Sequence, residues 1–316
     1  MEIGTPVKVS DRNGVDLFAT YLGEFDDREW YWNTETQDAF WRVPDIRECI
    51  AAPSGYKVLS ADYSQIEVKL MAHLSQDPIL IAAINSKCDI HCFNAAEVFG
   101  KEMGFTYQDI WDATQSDDAK QHPRHKELKT LRGNIKVVTF GVPYGAGKQM
   151  VAMRTGMTED KAQEFIDAFF SKFKVLKQWL EAQGNFALTW GYTTTPDGRR
   201  RFYTIPPTSD PDYDAELSQI RRYAGNHPIQ ASNADMLKKA IRMIYERIRG
   251  GIVTGPKLYD ARLMLVVHDE VVMMCADKDV EAVSNIMIQS MTDAYNSIIP
   301  NIWNEVLVVA DNVWDH

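Results

Sequence analysis

The chain has 316 residues, 45% of them hydrophobic and 25% charged, an ordinary globular composition with enough length for one large domain or two modest ones. No apolar run approaches the roughly 18 residues a membrane span needs, and the opening Met-Glu-Ile-Gly-Thr-Pro lacks a signal pattern, so no membrane partner is expected. The net charge is −10, from 34 basic and 44 acidic residues, whereas a stand-alone nucleic-acid binder usually carries a basic excess.

In chain order, residues 1 to about 45 are polar and aromatic, with Trp30, Tyr31, Trp32, Phe40 and Trp41 among acidic residues and no clear period. Clustered aromatics of this kind suit a protein contact or a cover over a small domain. Pro53-Ser-Gly-Tyr56 reads as a turn before a strand over Val58–Ala61. From Ile66 to about Leu188 the apolar spacing is mostly helical. It predicts helices over Gln65–Leu74, Ile90–Phe99 and Leu128–Phe140, and one long amphipathic piece, Thr158–Gln183. The section 101–127 is polar and contains breakers, as an inserted loop or extra helix would. Trp190 to Tyr203, with Asp197-Gly198 at its centre, reads as a β-hairpin.

A further helix is expected over Gln230–Arg249, with Leu237, Ile241, Ile244 and Ile248 as its apolar stripe and Lys238, Lys239, Arg242 and Arg249 as a solvated face. Two apolar runs, Leu263–Val267 and Val271–Met274, then flank His268-Asp269-Glu270. A helix from Asp279 to about Ile298 and a strand over Val306–Ala310 complete the pattern. Helices in the middle and strands toward both ends predict an α+β protein, a sheet domain with a helical insertion.

Four cysteines are too few for a disulfide scaffold. Cys88, His91 and Cys92 offer three donors on about one helical turn, but no second pair completes a tetrahedral zinc site, and buried thiols are the simpler reading.

The strand over Val58–Ala61 ends in Asp62, and Glu67 opens the helix that follows. His268-Asp269-Glu270 places further carboxylates at a hairpin tip; taken alone, such a tip is most often solvated. If the two strands are neighbours, Asp62 and Asp269 converge on one spot, where their repulsion raises a pKa unless a cation relieves it. Two Mg²⁺ ions held by two aspartates serve in-line phosphoryl transfer, and Mg²⁺ needs few protein ligands beyond substrate phosphates.

Arg132, Lys136, Phe140 and Tyr144 recur every four residues. Each step drifts by only about 40° around a helix, so all four share one broad face. Two cations followed by two aromatics suit a ligand with a polyphosphate end and a flat base. A helix with two snorkelling cations and two core aromatics satisfies the same spacing.

Asp62-Tyr-Ser-Gln-Ile-Glu67, Arg132-x3-Lys136-x3-Phe140-Gly-x-x-Tyr144-Gly145 and His268-Asp-Glu270 resemble, in order, the three polymerase motifs of the DNA polymerase I family, family A. Arg222-x3-Asn226-x-Pro228-x-Gln230 resembles a fourth segment of that family, Gly198-Arg-Arg200 also fits, and Asn312-Val-Trp-Asp315 fits loosely. The likeness runs from about Ile46 to the C-terminus, and Tyr144-Gly-Ala-Gly147 resembles the phage members in particular.

The resemblance implies a right-hand polymerase fold: an antiparallel palm sheet (46–66 and 206–316), helical fingers inserted in it (67–205), an N-terminal appendage of partner-contact type (1–45) and no thumb. It implies a DNA-templated DNA polymerase using two Mg²⁺ ions, with primer–template DNA and dNTPs as partners, in the cytoplasm of a bacterial cell or phage-infected host. Asp62, the Tyr63 main-chain carbonyl and Asp269 would be metal ligands, and Glu270 a supporting carboxylate. Glu67 would be the gate against a ribose 2′-OH, leaning on Tyr144. Arg132, Lys136 and His91 would meet the triphosphate, Phe140 would stack on the nucleotide, and Gln65 would line its site. Arg199, Arg222, Asn226, Gln230 and His268 would touch primer–template DNA without reading its sequence.

Some positions depart from the family pattern. About 45 residues precede the palm, too few for the family's exonuclease-like and thumb domains. A second polypeptide supplying the thumb and an exonuclease, with the basic surface this chain lacks, is therefore expected. The gap between His91 and Arg132 is long for the family, Lys69 replaces the more usual Arg, and Pro143 predicts a kink that displaces Tyr144. Among competing readings, a single-subunit RNA polymerase conflicts with Glu67. An inactive scaffold conflicts with the presence of Asp62, Asp269 and Lys136, and a two-metal nuclease has no use for the Arg132–Tyr144 face.

Overall fold

The computed structural model describes residues 6–10, 16–25, 28–33, 38–41, 46–250 and 257–314, and for most residues before 46 it describes the backbone path alone. Pro6–Ser10 (β1), Asp16–Phe25 (β2), Arg28–Asn33 (β3) and Asp38–Trp41 (β4) form a four-stranded antiparallel meander where the sequence showed no period. A register shift between Tyr21 and Gly23 is one reason, since a bulge swaps side chains between faces and interrupts alternation. The side chains of Trp30, Tyr31, Phe40 and Trp41, expected as a contact or a cover, lie outside the described residues.

The second sheet begins with Tyr56–Tyr63 (β5). The helical section follows: Ile66–Ser75 (α1), Pro78–Asn85 (α2), Ile90–Ala95 (α3), Lys101–Met103 (α4), Tyr107–Thr114 (α5), His125–Gly141 (α6), Lys148–Thr155 (α7), Glu159–Lys172 (α8) and Lys174–Trp190 (α9). A short hairpin, Tyr192–Thr194 (β6) with Arg200–Phe202 (β7), leads to Tyr213–Arg247 (α10). Ala261–Val267 (β8), Glu270–Ala276 (β9), Val280–Asn296 (α11) and Val306–Asp311 (β10) complete the chain. The sheet runs β10-β5-β9-β8, antiparallel throughout, so strands from both ends of the sequence flank the helical section.

β5 sits in the middle of this sheet and is buried on both faces. Leu59, Ala61 and Tyr63 face the main core with Val271 and Met273, while Val58 joins Val272 and Trp314 on the other side. Burying side chains of this size contributes roughly 1.5–3 kcal/mol each, which fixes the strand that carries Asp62. Tyr63 is anchored further by donating its hydroxyl hydrogen to the Met291 carbonyl at 2.9 Å.

The helical section differs from the sequence expectation in three places. Thr158–Gln183 is not one helix: Phe173, fully buried with φ −95° and ψ 60°, separates α8 from α9. The break is held where Asp77, the N-cap of α2, also accepts the Leu176 amide at 3.1 Å. The helix expected from Gln230 begins instead at Tyr213 and runs through Pro228, a residue that normally ends a helix. Pro143 does not kink α6, which ends at Gly141 and passes into a 3-10 turn over Val142–Tyr144.

Candidate active site

Asp62 stands one residue from the end of β5, and Asp269 lies in the β8–β9 turn. Ala61 pairs with Val271, so the next steps along both strands bring Asp62 and the Asp269-Glu270 pair to the same end of adjacent strands. Adjacent strands lie about 4.8 Å apart. His268 in that turn has φ +53°, and Gln65, which caps α1 and precedes Glu67, has φ +50°. Left-handed backbone at residues other than glycine is uncommon, and strained positions cluster where a site over-determines the chain.

A cleft of about 570 Å³ opens at this end of the sheet. Gln65, Glu67, Phe140, Gln230, His268 and Asp269 are among the residues that line it, and α10 forms its long wall. Asn233 and Lys238 of α10 also face the cleft. The sequence had put Lys238 on a solvated face. Its spacing of eight residues from Gln230, a little over two turns, was the readable clue.

Glu67 is held from two sides. Tyr144 donates its hydroxyl hydrogen to Oε2 at 2.8 Å, and Gln230 Nε2 donates to Oε1. Burial first, and the Glu67 carboxylate second, push the Tyr144 hydroxyl pKa up, so it stays a donor. Tyr144 thus reaches Glu67 despite Pro143. Gly145, at φ +87°, gives the chain its turn there, and a Cβ would lie 2.4 Å from Arg222 Cδ.

Asp269 has its carboxyl pKa pushed up by burial, with the charges of Glu67 and Glu270 adding to the effect. Glu270 is 4% exposed and accepts hydrogen bonds from the Ser60 hydroxyl and from Trp314 Nε1, the latter at 2.5 Å. Trp314 lay in the loosely matching Asn312-Val-Trp-Asp315 and Ser60 in the strand before Asp62, but neither was read as a partner of Glu270, from which they stand 44 and 210 positions away.

Among the described residues no group of three or more His, Cys, Asp or Glu side chains is placed to hold an ion by itself. The donors present are hard carboxylate oxygens, and burial and like charge disfavour the Asp269 anion unless a cation offsets them. That set fits Mg²⁺ completed by substrate phosphates.

On α6, Arg132 donates from Nη2 to Asp89 Oδ2 at 2.7 Å and from Nε to Oδ1 at 3.3 Å. Burial pushes the Asp89 carboxyl up, but Arg132 and the Cys92 amide outweigh it and hold the pKa low. Lys136, one turn on, is exposed and makes no ion pair among the described residues. His91 departs from expectation. It is 3% exposed, packs edge-on to Phe140 at 5.2 Å and is pulled down to about 4 by burial, so it backs the Phe140 ring rather than lying open at the surface.

Arg222 and Asn226 line a second cleft, shared with Phe140 and Tyr144. Arg199, expected on DNA, is ion-paired with Asp235 of α10 and keeps 40% of its side chain exposed.

A family model described as "DNA polymerase family A" matches residues 39–314. The chain belongs to DNA polymerase family A. Curated relatives include DNA polymerase I of Chloroflexus aurantiacus, 31% identical over 256 residues, covering 81% of this chain and 24% of that protein. The thermostable DNA polymerase I of Thermus aquaticus is 29% identical over 259 residues, covering 81% of this chain and 27% of that protein. The chain therefore spans about a quarter of the length of these relatives. Among solved structures, the POL domain of Pol1 from M. smegmatis, in complex with DNA primer-template and dNTP, matches with a TM-score of 0.70 and 25% identity. That match covers 91% of this chain and 48% of the other. Family A polymerases generally use divalent metal ions. Among the described residues no helix is long and apolar enough to cross a membrane.

Proposed function

We propose that this chain is the palm and fingers of a DNA-templated DNA polymerase, with residues 46–66 and 206–316 as palm and 67–205 as fingers. The observation that carries the reading is Glu67, clamped by Tyr144 and Gln230 within the cleft that also contains Asp269. A nuclease needs no such barrier. A carboxylate held there fills the space a ribose 2′-hydroxyl would need, and so selects deoxynucleotides.

Two Mg²⁺ ions at Asp62 and Asp269, with the Tyr63 main-chain carbonyl beside them, would activate the primer 3′-hydroxyl and offset charge on the triphosphate and leaving pyrophosphate. Glu270, fixed by Ser60 and Trp314, positions the turn that carries Asp269. Lys136, free of ion pairs among the described residues, meets the triphosphate, and Arg132 joins it by exchanging Asp89 for phosphate oxygens. Phe140, backed by His91, is the stacking surface for the base. Arg222, Asn226, Gln230 and His268 lie along the clefts where primer and template would pass.

A chain segment with net charge −10 grips duplex weakly, and we propose that further DNA-holding surface, basic where this segment is acidic, comes from a partner that works with it. The test is single-nucleotide incorporation on four primer–templates that differ only in the first unpaired template base. Only the complementary dNTP should be added in each. Addition of any nucleotide regardless of template would reject the reading.

A further inference from the structure

Four rings form a continuous ladder where the end of α9 meets the β6–β7 hairpin. In spatial order they are Trp190 and Phe186 from the last turns of α9, Tyr192 from β6 and Phe202 from β7, with successive centroid separations of 6.3, 5.4 and 5.9 Å. Trp190 is 65% and Phe202 71% exposed, while no other large aromatic among the described residues exceeds 41%. These two rings contribute little to the core.

The hairpin under them is rigidly attached. Thr193 is fully buried, and its hydroxyl meets His227 Nδ1 of α10 at 2.9 Å and the Tyr203 hydroxyl at 3.0 Å. Little ordering entropy remains to be lost when something binds.

Cations are interleaved with the rings. Arg200 lies 4.7 Å over Tyr192, and Arg201 lies 4.7 Å over Tyr223. Neither is matched by a carboxylate among the described residues, whereas nearby Arg199 pairs with Asp235 and Lys239 with Asp197. Tyr223 in turn lines the second cleft beside Phe140, Tyr144 and Arg222, so the surface is continuous with the nucleotide face.

We propose that this ladder binds an unpaired nucleic-acid strand, the single-stranded template ahead of the cleft. Rings with solvent-exposed faces and unmatched guanidinium groups are what an unpaired strand offers partners for, bases to stack and phosphates to pair. Duplex hides its base faces and would leave Trp190 and Phe202 uncovered. The identity of the strand as template rests on the polymerase reading; the single-strand binding does not.

Fluorescence anisotropy with labelled oligothymidylate, and with a duplex of equal length, tests the binding. Trp190→Ala and Phe202→Ala should each weaken single-strand binding roughly 5- to 100-fold and leave duplex binding unchanged, and Trp190→Phe should recover most of the loss. Primer extension provides the second readout. The alanine variants should raise KM on templates with long 5′ overhangs, and not on templates with a single unpaired nucleotide. Single-strand binding equal in wild type and both variants, or absent in wild type, overturns the proposal and leaves the rings to a protein partner. A wild type that binds through these rings but extends no primer would sink the polymerase reading and leave the strand-binding surface standing.

Discussion

Tyr144, three residues beyond the end of α6, donates its hydroxyl hydrogen to Glu67 at 2.8 Å, tying the turn after α6 to the first helix after the Asp62 strand. Glu67 therefore cannot swing aside without losing a partner on each side, since Gln230 holds its other oxygen. Glu67→Ala should raise ribonucleotide incorporation relative to deoxynucleotide by at least about tenfold, ~1.4 kcal/mol of discrimination. Competition between matched rNTP and dNTP in primer extension measures it, and Tyr144→Phe should give a smaller change in the same direction. Unaltered selectivity in Glu67→Ala would remove Glu67 from the gate.

Glu270 depends on Trp314, whose Nε1 donates to a carboxylate that is 4% exposed. Trp314→Phe keeps an aromatic side chain but deletes the indole donor and part of the buried ring system, which should cost about 1–3 kcal/mol of stability. Because Glu270 adjoins Asp269, kcat should fall more than dNTP KM rises. Denaturant midpoints and steady-state kinetics separate the two effects.

Gly145 combines φ +87° with an Arg222 side chain that crosses over it. Gly145→Ala should destabilise the chain by about 1–3 kcal/mol and weaken primer–template binding, because Arg222 has to move. Thermal unfolding together with DNA titration tests both effects. A variant as stable as wild type would show that the turn relaxes freely.

Lys69 is 3% exposed, donates to Asn304 Oδ1 at 2.8 Å and lies 5.3 Å from the Trp303 ring centroid. Burial lowers its pKa from 10.5 to about 8, against the opposing charges of Glu305 and Asp62. Between about pH 8 and 10.5 the unfolded chain binds the proton that the folded chain has released, so this group's contribution to stability rises with pH across that window. Wild type should accordingly gain stability over Lys69→Met as pH is raised from about 8 to 10. A constant difference in urea midpoint would contradict this assignment.

Much of the site was legible because its residues act through local spacing. Asp62 ends a run of strand residues, Glu67 opens a helical stripe, and Arg132 to Tyr144 repeat every four positions. What was not legible depends on contacts across the fold. Ser60 and Trp314 bind Glu270 from distant parts of the chain, and Arg199 finds Asp235 only after the hairpin packs on α10. The apolar stripe was legible only from Gln230 on, yet one helix runs from Tyr213 to Arg247 with Pro228 buried inside it. The span Thr158–Gln183 read as one amphipathic piece, but the non-helical backbone at the buried Phe173 divides it into two helices.

Under the proposed function, Asp269 and its neighbours catalyse template-directed addition of deoxynucleotides. The direct measurement is extension of a labelled primer–template with Mg²⁺ and either dNTPs or rNTPs, by wild type beside Asp269→Asn. Extension by wild type with dNTPs alone, reduced by at least about 1,000-fold (~4 kcal/mol) in the variant, is the predicted result. Extension by Asp269→Asn at the wild-type rate, or equal use of both nucleotide classes by wild type, would rule out this catalytic role.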